Sequence, residues 1–147
     1  MAKFQYKMQN ILALKEKLET QAKTEFARET QKLREEELKL SRIYDDIREY
    51  ENRIRGLNGE KLNILELKQC NNAIKIKKYE ANAQKRVIKL AEKNVDIARG
   101  KLNQVMIERK TQEILKEKAF EEFKKELEYQ EGKEVDEIVS FQYNKEE

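Results

Sequence analysis

Acidic side chains that could perform general acid–base chemistry are abundant, but they are spread along the whole chain. Adjacent carboxylates occur at Asp45-Asp46, Glu121-Glu122 and Asp136-Glu137. Catalytic carboxylates need a desolvated cleft that shifts their pKa values, and so many similar pairs single out none of them. With 29 Asp and Glu among 147 residues, the carboxylates fit a solvated surface better than an active site.

The residue types that most often carry catalysis or hold metals are scarce. The sequence contains no His, which removes the imidazole base, the Ser-His-Asp triad and the His ligands of metal sites. The one cysteine, Cys70, cannot form an internal disulfide or hold a zinc ion alone, and we expect it to be a buried small hydrophobe. Gly56 and Gly59 lack the context of a phosphate-binding loop. The sequence therefore predicts no catalytic, cofactor-binding or metal site, and no enzymatic activity.

The overall composition favours long solvated helices. Charged residues make up 41% of the chain and hydrophobic residues 38%, with no Pro and only 4 Gly. Because sheets and turns need Gly and Pro, a many-stranded fold is nearly excluded, and a chain without Pro can continue as helix over long distances. The N-terminus has no apolar core of signal-peptide length, and no window approaches the ~18 apolar residues of a membrane span. We expect a cytosolic protein.

Apolar residues at helical spacing predict a first long helix over about 3–56. In its first part, one face is predicted to hold Phe4, Met8, Ile11, Leu14, Leu18, Ala22 and Phe26. From Leu33 the spacing becomes a heptad, with Leu33, Leu40, Ile47 and Ile54 in one row and Ile43, Tyr50 and Leu57 in the other. A phase slip near residues 22–26 is predicted to join the two parts. Glu36 falls on the second row and predicts a polar layer.

A breaker and a second helix follow. The run Gly56-Leu57-Asn58-Gly59 predicts a hinge over about 57–62. Asn63 resembles an N-cap, and residues 63–72 are expected to form a short helix or turn, or the first turns of the second helix. The second helix is predicted over about 73–138, and 139–147 as a flexible acidic tail. Its apolar face is predicted to hold Ile76, Ala83, Val87, Leu90, Val95, Ala98, Leu102, Val105, Ala119, Phe123 and Leu127, with Arg109 and Gln112 interrupting it.

Two helices of similar length joined by a short breaker are expected to fold back on each other. The predicted fold class is therefore all-α, a long antiparallel two-helix coiled-coil hairpin that forms a single domain over 1–138. Such a rod exposes most of its residues and offers no pocket.

The charge changes sign along the chain. It is +7 over residues 60–110 and −6 over residues 111–147. The densest basic stretch holds Lys75, Lys77, Lys78, Lys85, Arg86 and Lys89 against one acid, Glu80. It is either a solvated helix face or a docking surface for an acidic protein, lipid headgroups or nucleic acid. Because the acidic end nearly cancels the basic middle, we expect no nucleic acid partner.

Four stretches, which together span nearly the whole chain, carry a resemblance to a known family. They are MAKFQYKMQNIL at 1–12, NILEL at 63–67 followed by NAI at 72–74, MIERKT at 106–111 followed by LKEKA at 115–119, and EGKEVDEI at 131–138. In these stretches, and in its length and hinge position, the chain resembles the flagellar export protein FliJ of clostridial-type bacteria.

The resemblance implies a function in flagellar motility. It implies an antiparallel coiled coil, similar to the central stalk of rotary ATPases, in the flagellar type III export apparatus. Its implied partners are the hexameric export ATPase, the cytoplasmic part of the membrane export gate and export chaperones. The implied location is the cytoplasm, in peripheral association with the inner face of the membrane at the flagellar base and without direct membrane insertion.

The resemblance also implies partner-binding residues. The paired chain ends would enter the ATPase ring, and the chaperone surface would lie near Leu40, Tyr44 and Arg48. The gate surface would lie near Ala73, Lys77, Glu80 and Gln84, or be shifted to Ile74, Ile76 and Tyr79. The residue patterns alone leave three alternatives: a generic cytosolic scaffolding coiled coil, a rotary-ATPase stalk and a nucleic-acid-binding helical arm.

Overall fold

The computed structural model describes residues 3–57 and 64–146, and almost all of them are helical. Helix α1 spans Gln9–Leu57 and helix α2 spans Ile64–Glu146. No strand occurs in these two ranges. The predicted all-α helical hairpin is confirmed.

The two helices contribute to two compact units. The central unit is formed by Ala22–Leu102, and the terminal unit by the chain up to Gln21 together with Asn103 onward. In the central unit, α1 residues 25, 36 and 46 contact α2 residues 101, 84 and 77, so the helices are antiparallel. In the terminal unit, residues 4 and 15 contact 120 and 108, which gives the same direction.

The face of α1 that packs on α2 follows one uninterrupted heptad register. Its rows are Leu12, Glu19, Phe26, Leu33, Leu40, Ile47 and Ile54, and Lys15, Ala22, Glu29, Glu36, Ile43, Tyr50 and Leu57, all at least partly buried. The predicted phase slip is therefore wrong. Met8, Ile11 and Leu14 were also predicted on this face wrongly, because Lys15 and Glu19 occupy the packed positions and leave these apolar side chains exposed.

The packed face of α2 is equally regular. Its rows are Cys70, Lys77, Gln84, Ala91, Ala98, Val105, Gln112 and Ala119, and Ile74, Ala81, Ile88, Val95, Leu102, Arg109, Lys116 and Phe123. Each side chain is at least partly buried, and Cys70 is buried as expected. Arg109 and Gln112 lie on this face, as predicted.

Four residues assigned to the apolar face of α2 from sequence are exposed instead: Leu127, beyond the last packed residue, and three residues in the central unit. Ile76, Val87 and Leu90 retain 59%, 43% and 60% of their accessible surface. The prediction was wrong because the packed positions beside them hold small or polar residues, Ala81 and Gln84 among them. A search for the most apolar row therefore selects the opposite side of the helix.

The start of α2 lies earlier than residue 73. The helix begins at Ile64 and continues through Asn71 and Asn72, so residues 64–72 are its first turns and not a separate helix. Both Asn side chains are exposed, while Cys70 and Ile74 beside them pack inward, and such packing overrides the weak helix propensity of Asn. The hinge was predicted over 57–62, but Leu57 is the last residue of α1. The remainder of that range, 58–62, and the Asn63 cap lie outside the described residues.

The chain ends also differ from the sequence expectation. Helix α1 begins at Gln9, where the backbone amide donates to the Tyr6 carbonyl, and residues 3–6 are not helical. Phe4 packs on α2, with its ring 5.1 Å from that of Phe120 and 5.5 Å from that of Phe123. At the other end, α2 continues to Glu146 through most of the predicted flexible tail. The absence of Pro lets it continue without a break.

Candidate docking surfaces

Among residues 3–57 and 64–146, no group of His, Cys, Asp or Glu is placed so that it could hold a metal ion. In that same part of the chain, neither helix carries an apolar stretch of the length and hydrophobicity that crossing a membrane requires. The side chains that could contact a partner lie on the outer faces of the helices.

Two residues of the predicted gate surface are engaged within the central unit. The Gln84 side-chain amide donates to the Glu36 carboxylate at 2.6 Å and to the Glu36 backbone carbonyl at 2.9 Å. This bond, followed by one from Lys39, lowers the pKa of the Glu36 carboxyl. The ammonium group of Lys77 lies 3.3 Å from a carboxylate oxygen of Asp46 and 3.3 Å from one of Glu80, which raises the pKa of Lys77. Gln84 and Lys77 therefore connect the two helices.

The other predicted gate residues differ in how exposed their side chains are. Ala73 and Ile74 are half-buried on the packed side of α2, and Glu80 is exposed with its carboxylate toward Lys77. Ile76 and Tyr79 point outward, and Tyr79 retains 73% of its accessible surface. A partner that approaches this part of α2 therefore meets Ile76 and Tyr79 most directly.

The predicted chaperone residues lie on α1 in the central unit. Leu40 is half-buried on the packed face, while Tyr44 and Arg48 are exposed. The Lys85 ammonium group lies 5.9 Å from the centre of the Tyr44 ring, within the range of a cation–π contact. Arg48 pairs with Asp45 along the same helix. Tyr44 is therefore the aromatic side chain that this surface offers.

An exposed apolar surface runs along α2 in the central unit, and we call it the outer face. It comprises Ile76, Tyr79, Val87, Leu90 and Ile97. Ile76, Leu90 and Ile97 are separated by multiples of seven residues, so they fall in one row along the helix. Exposed apolar side chains grouped on one part of a helix are a candidate interaction site.

A row of positive charge lies next to the outer face. Lys75, Lys78, Lys85, Arg86 and Lys89 are all exposed. We call these five residues the basic stripe. With Lys77 engaged at the packed face, the basic stripe holds the other cations of the stretch identified from the sequence. Beside apolar side chains, this arrangement suits a partner helix with apolar and acidic positions.

Charged groups also connect the helices of the terminal unit. Glu19 is buried and its carboxylate pairs with the Arg109 guanidinium, which also lies 2.8 Å from Glu113. The hydrogen bonds that Arg109 donates to Glu113 and then to Glu19 raise the pKa of Arg109. Lys15 donates to Glu108 at 2.9 Å and is the main cause of the lowered pKa of that carboxyl. Lys15, Glu19 and Arg109 occupy heptad positions that apolar residues usually fill.

The C-terminal segment of α2, residues 124–146, forms a second exposed surface. Phe123 is the last described residue of α2 that is partly buried, and every described side chain over 124–145 is exposed. Leu127, Val135, Ile138 and Phe141 fall within about a third of the helix circumference at 3.6 residues per turn. The segment is thus a stretch of helix in which several large apolar side chains face solvent, with charged residues among them.

The sequence predicts only part of these surfaces, because Ile76 and Tyr79 were named as possible gate residues while the rest of the outer face and the C-terminal segment were not. Val87 and Leu90 were assigned to the packed face, and residues 139–147 to a flexible tail. A usable signal existed, because steps of seven back from Val95 reach Ile88, Ala81 and Ile74, which are the buried row. Extended over the whole helix, this register predicts that Leu90 and Val87 lie on the exposed side of α2.

Comparison with known proteins shows which class of protein carries these surfaces. The family model described as "Flagellar FliJ protein" matches residues 4–147. The chain belongs to this FliJ family. The resemblance found in the sequence is thereby confirmed. The search of curated proteins found no match to this chain, and the search of solved structures found none either.

Membership of the FliJ family makes the chain a component of the flagellar export apparatus. On the same family grounds it is a cytoplasmic component. The matched range includes both the outer face and the C-terminal segment of α2.

Proposed function

We propose that this FliJ-family chain is a non-enzymatic subunit that binds the hexameric export ATPase, couples it to the membrane export gate and handles export chaperones. The observation that carries the proposal is the C-terminal segment, a stretch of helix whose apolar side chains face solvent. The family provides the context, because the partners of an export component are parts of the export apparatus.

The C-terminal segment is the proposed contact with the ATPase. Val135 and Ile138 lie on the same side of the helix, where apolar residues are usually buried. They nevertheless retain 56% and 58% of their accessible surface. Fully burying an exposed side chain of this size yields about 1.5–3 kcal/mol, and because these two retain little more than half of their surface, each can yield about half of that against a partner. The segment therefore has the apolar content of a helix that docks in a groove.

The outer face of α2 is the proposed contact with the cytoplasmic part of the export gate. Ile76 and Tyr79 provide apolar area, and the basic stripe beside them provides attraction for an acidic surface. Gln84 and Lys77 lie on the packed face of the same part of α2, and their bonds to α1 hold it in place. Peripheral association with the membrane would follow from this contact alone.

The proposed chaperone contact includes Tyr44, with Leu40 and Arg48 at its edges. Tyr44 is exposed and presents its ring beside Lys85, so an aromatic and a positive group are offered together. Tyr is favoured at protein interfaces because one large ring buries much area at a small entropic cost. Loss of chaperone binding in Tyr44→Ala would support this assignment.

The ATPase contact is tested by the binding of the full chain to the purified flagellar export ATPase of the same organism. Ile138→Asp should lose binding, because it places a charge among the apolar side chains of the C-terminal segment. Ile107→Asp is the matched control, since Ile107 is 60% exposed in the same unit but lies outside the segment. Helical content by circular dichroism should be unchanged in both variants. Equal binding by wild type and Ile138→Asp would contradict the assignment.

A further inference from the structure

Two exposed surfaces of α2 carry opposite charge. Residues 75–93 include seven Lys and Arg against two Glu, and residues 124–146 include seven Asp and Glu against four Lys. Both regions also expose apolar side chains: the outer face in the first, and Leu127, Val135, Ile138 and Phe141 in the second. The two surfaces are therefore complementary in charge and alike in apolar character.

We propose that the C-terminal segment of one copy docks on the outer face of α2 in a second copy of this chain. The inference goes beyond the proposed function, because it concerns association of the protein with itself and requires no other component. Its physical basis is the pairing of apolar rows between two helices, with acidic residues of one beside basic residues of the other.

The apolar spacing of the two surfaces matches. Ile76 and Leu90 are fourteen residues apart on the outer face, and Leu127 and Phe141 are fourteen residues apart on the C-terminal segment. Fourteen residues are two heptads, so each pair lies on one side of its helix in coiled-coil packing. Two helices with the same spacing of large apolar side chains can align both contacts together.

Charge favours this pairing over pairing of like segments. Two C-terminal segments side by side would bring net negative surfaces together, and two outer faces would bring net positive surfaces together. Glu134 lies in the row of Leu127 and Phe141, and Glu126 and Glu137 lie beside that row, so in this pairing all three carboxylates would be on the side of the segment that meets the outer face and the basic stripe. Opposite charges across an interface stabilise the right pairing, and like charges oppose the wrong one.

The C-terminal segment that docks on an outer face must come from another molecule. The C-terminal segment and the outer face belong to the same uninterrupted helix, which spans Ile64–Glu146. Two stretches of one unbroken helix do not pack against each other. Self-association would also cover both surfaces proposed for the ATPase and the gate, so the self-associated form would compete with partner binding.

Sedimentation velocity of the full-length protein over a range of concentrations tests the inference. At low salt the sedimentation coefficient should rise with concentration, and at high salt the rise should shrink because the exposed charges are screened. A protein that stays monomeric at every concentration and at low salt overturns the proposal.

Charge reversal identifies the two surfaces. The triple variant Lys78→Glu, Lys85→Glu, Lys89→Glu should weaken self-association by about tenfold, since three exposed ion pairs are lost. Glu126→Lys, Glu134→Lys, Glu137→Lys should weaken it equally, and a mixture of the two triple variants should associate again. The control is Arg28→Glu, Arg34→Glu, Arg42→Glu, which makes the same charge change at exposed positions of α1.

Sedimentation of the mixture of the two triple variants distinguishes this pairing from other kinds of self-association. Recovery in the mixture requires that the two reversed surfaces face each other, and it supports the proposal. If only one triple variant weakens association, or if the mixture stays as weak as each variant alone, the proposal is overturned. None of these measurements contains the export ATPase, so their outcome is independent of the proposed function.

Discussion

Gln84 of α2 donates its side-chain amide to both the carboxylate and the backbone carbonyl of Glu36 on α1. A polar layer thus joins the helices where a coiled coil usually holds two apolar residues. The layer confirms the prediction that Glu36 interrupts the apolar row of α1. It also explains why Gln84, a predicted partner-binding residue, contributes to the hairpin itself.

The first prediction concerns acid stability and follows from the lowered pKa of Glu36. The carboxyl binds its proton less readily in the folded chain than in the unfolded chain, where the ordinary value is 4.5. Its contribution to stability is therefore present above about pH 4.5 and lost as the pH falls through the lowered pKa. We expect Gln84→Ala to unfold at lower temperature than wild type at pH 7, and the difference to narrow on acidification below pH 4.5.

The control for the acid experiment is Gln130→Ala. Gln130 donates to Glu126 within the exposed C-terminal segment, so its loss removes a similar bond that does not join the two helices. The melting temperature of this variant should follow that of wild type at every pH. A constant difference between Gln84→Ala and wild type from pH 7 to pH 3 would contradict the role given to Glu36.

The second prediction tests the register of α2 with two identical substitutions. Val95 is 6% exposed on the packed face, and Val87 is 43% exposed on the outer face. Val95→Ala should lower the free energy of unfolding by about 2 kcal/mol, from lost burial and the cavity left behind. Val87→Ala should change it by less than about 0.5 kcal/mol. Urea denaturation measures both, and the reverse order of the two effects would refute the register.

The third prediction concerns the buried carboxylate of the terminal unit. Arg109→Met removes the cation beside Glu19, and Glu19→Met removes the carboxylate beside Arg109. Breaking a buried pair from one side is more costly than replacing both partners with apolar residues. Each single variant should therefore melt below wild type, and the double variant should melt above the lower of the two. Strictly additive losses in the melting temperature would show that the pair is not coupled.

The fourth prediction concerns the proposed gate contact. Leu90→Asp places a charge in the outer face, where the side chain is already exposed, so the fold should be retained and binding to the cytoplasmic part of the gate lost. Leu38→Asp is the control, because Leu38 is 51% exposed on α1 of the same unit. Isothermal titration with the purified gate fragment measures both. Binding by Leu90→Asp at wild-type affinity would exclude the outer face from the contact.

The sequence predicts α1 well where the packed row is apolar. From Leu33 to Ile54 the heptad residues are large and aliphatic, and the prediction agrees with the structure. Before residue 22 it fails, since the packed positions hold Lys15 and Glu19, and their burial depends on partners that lie far along the chain. Local periodicity contains no information about such distant ion pairs.

The docking surfaces are harder to predict than the fold for a related reason. An apolar row on one helix indicates a buried side, but it does not say whether the covering element belongs to the same chain. On α2 the row with Leu90 is more apolar than the packed row with Gln84, and only the register set by α1 distinguishes them. The C-terminal segment likewise contains apolar residues for which α1 supplies no cover.

Hydrolysis of ATP by the purified export ATPase in the presence of this chain tests the proposed function. The wild-type chain should raise the rate of hydrolysis in a saturable manner, and Ile107→Asp should raise it equally. Ile138→Asp should leave the rate at the level of the ATPase alone. A rate that the wild-type chain does not change, at concentrations up to and beyond that of the ATPase, would contradict the proposed function.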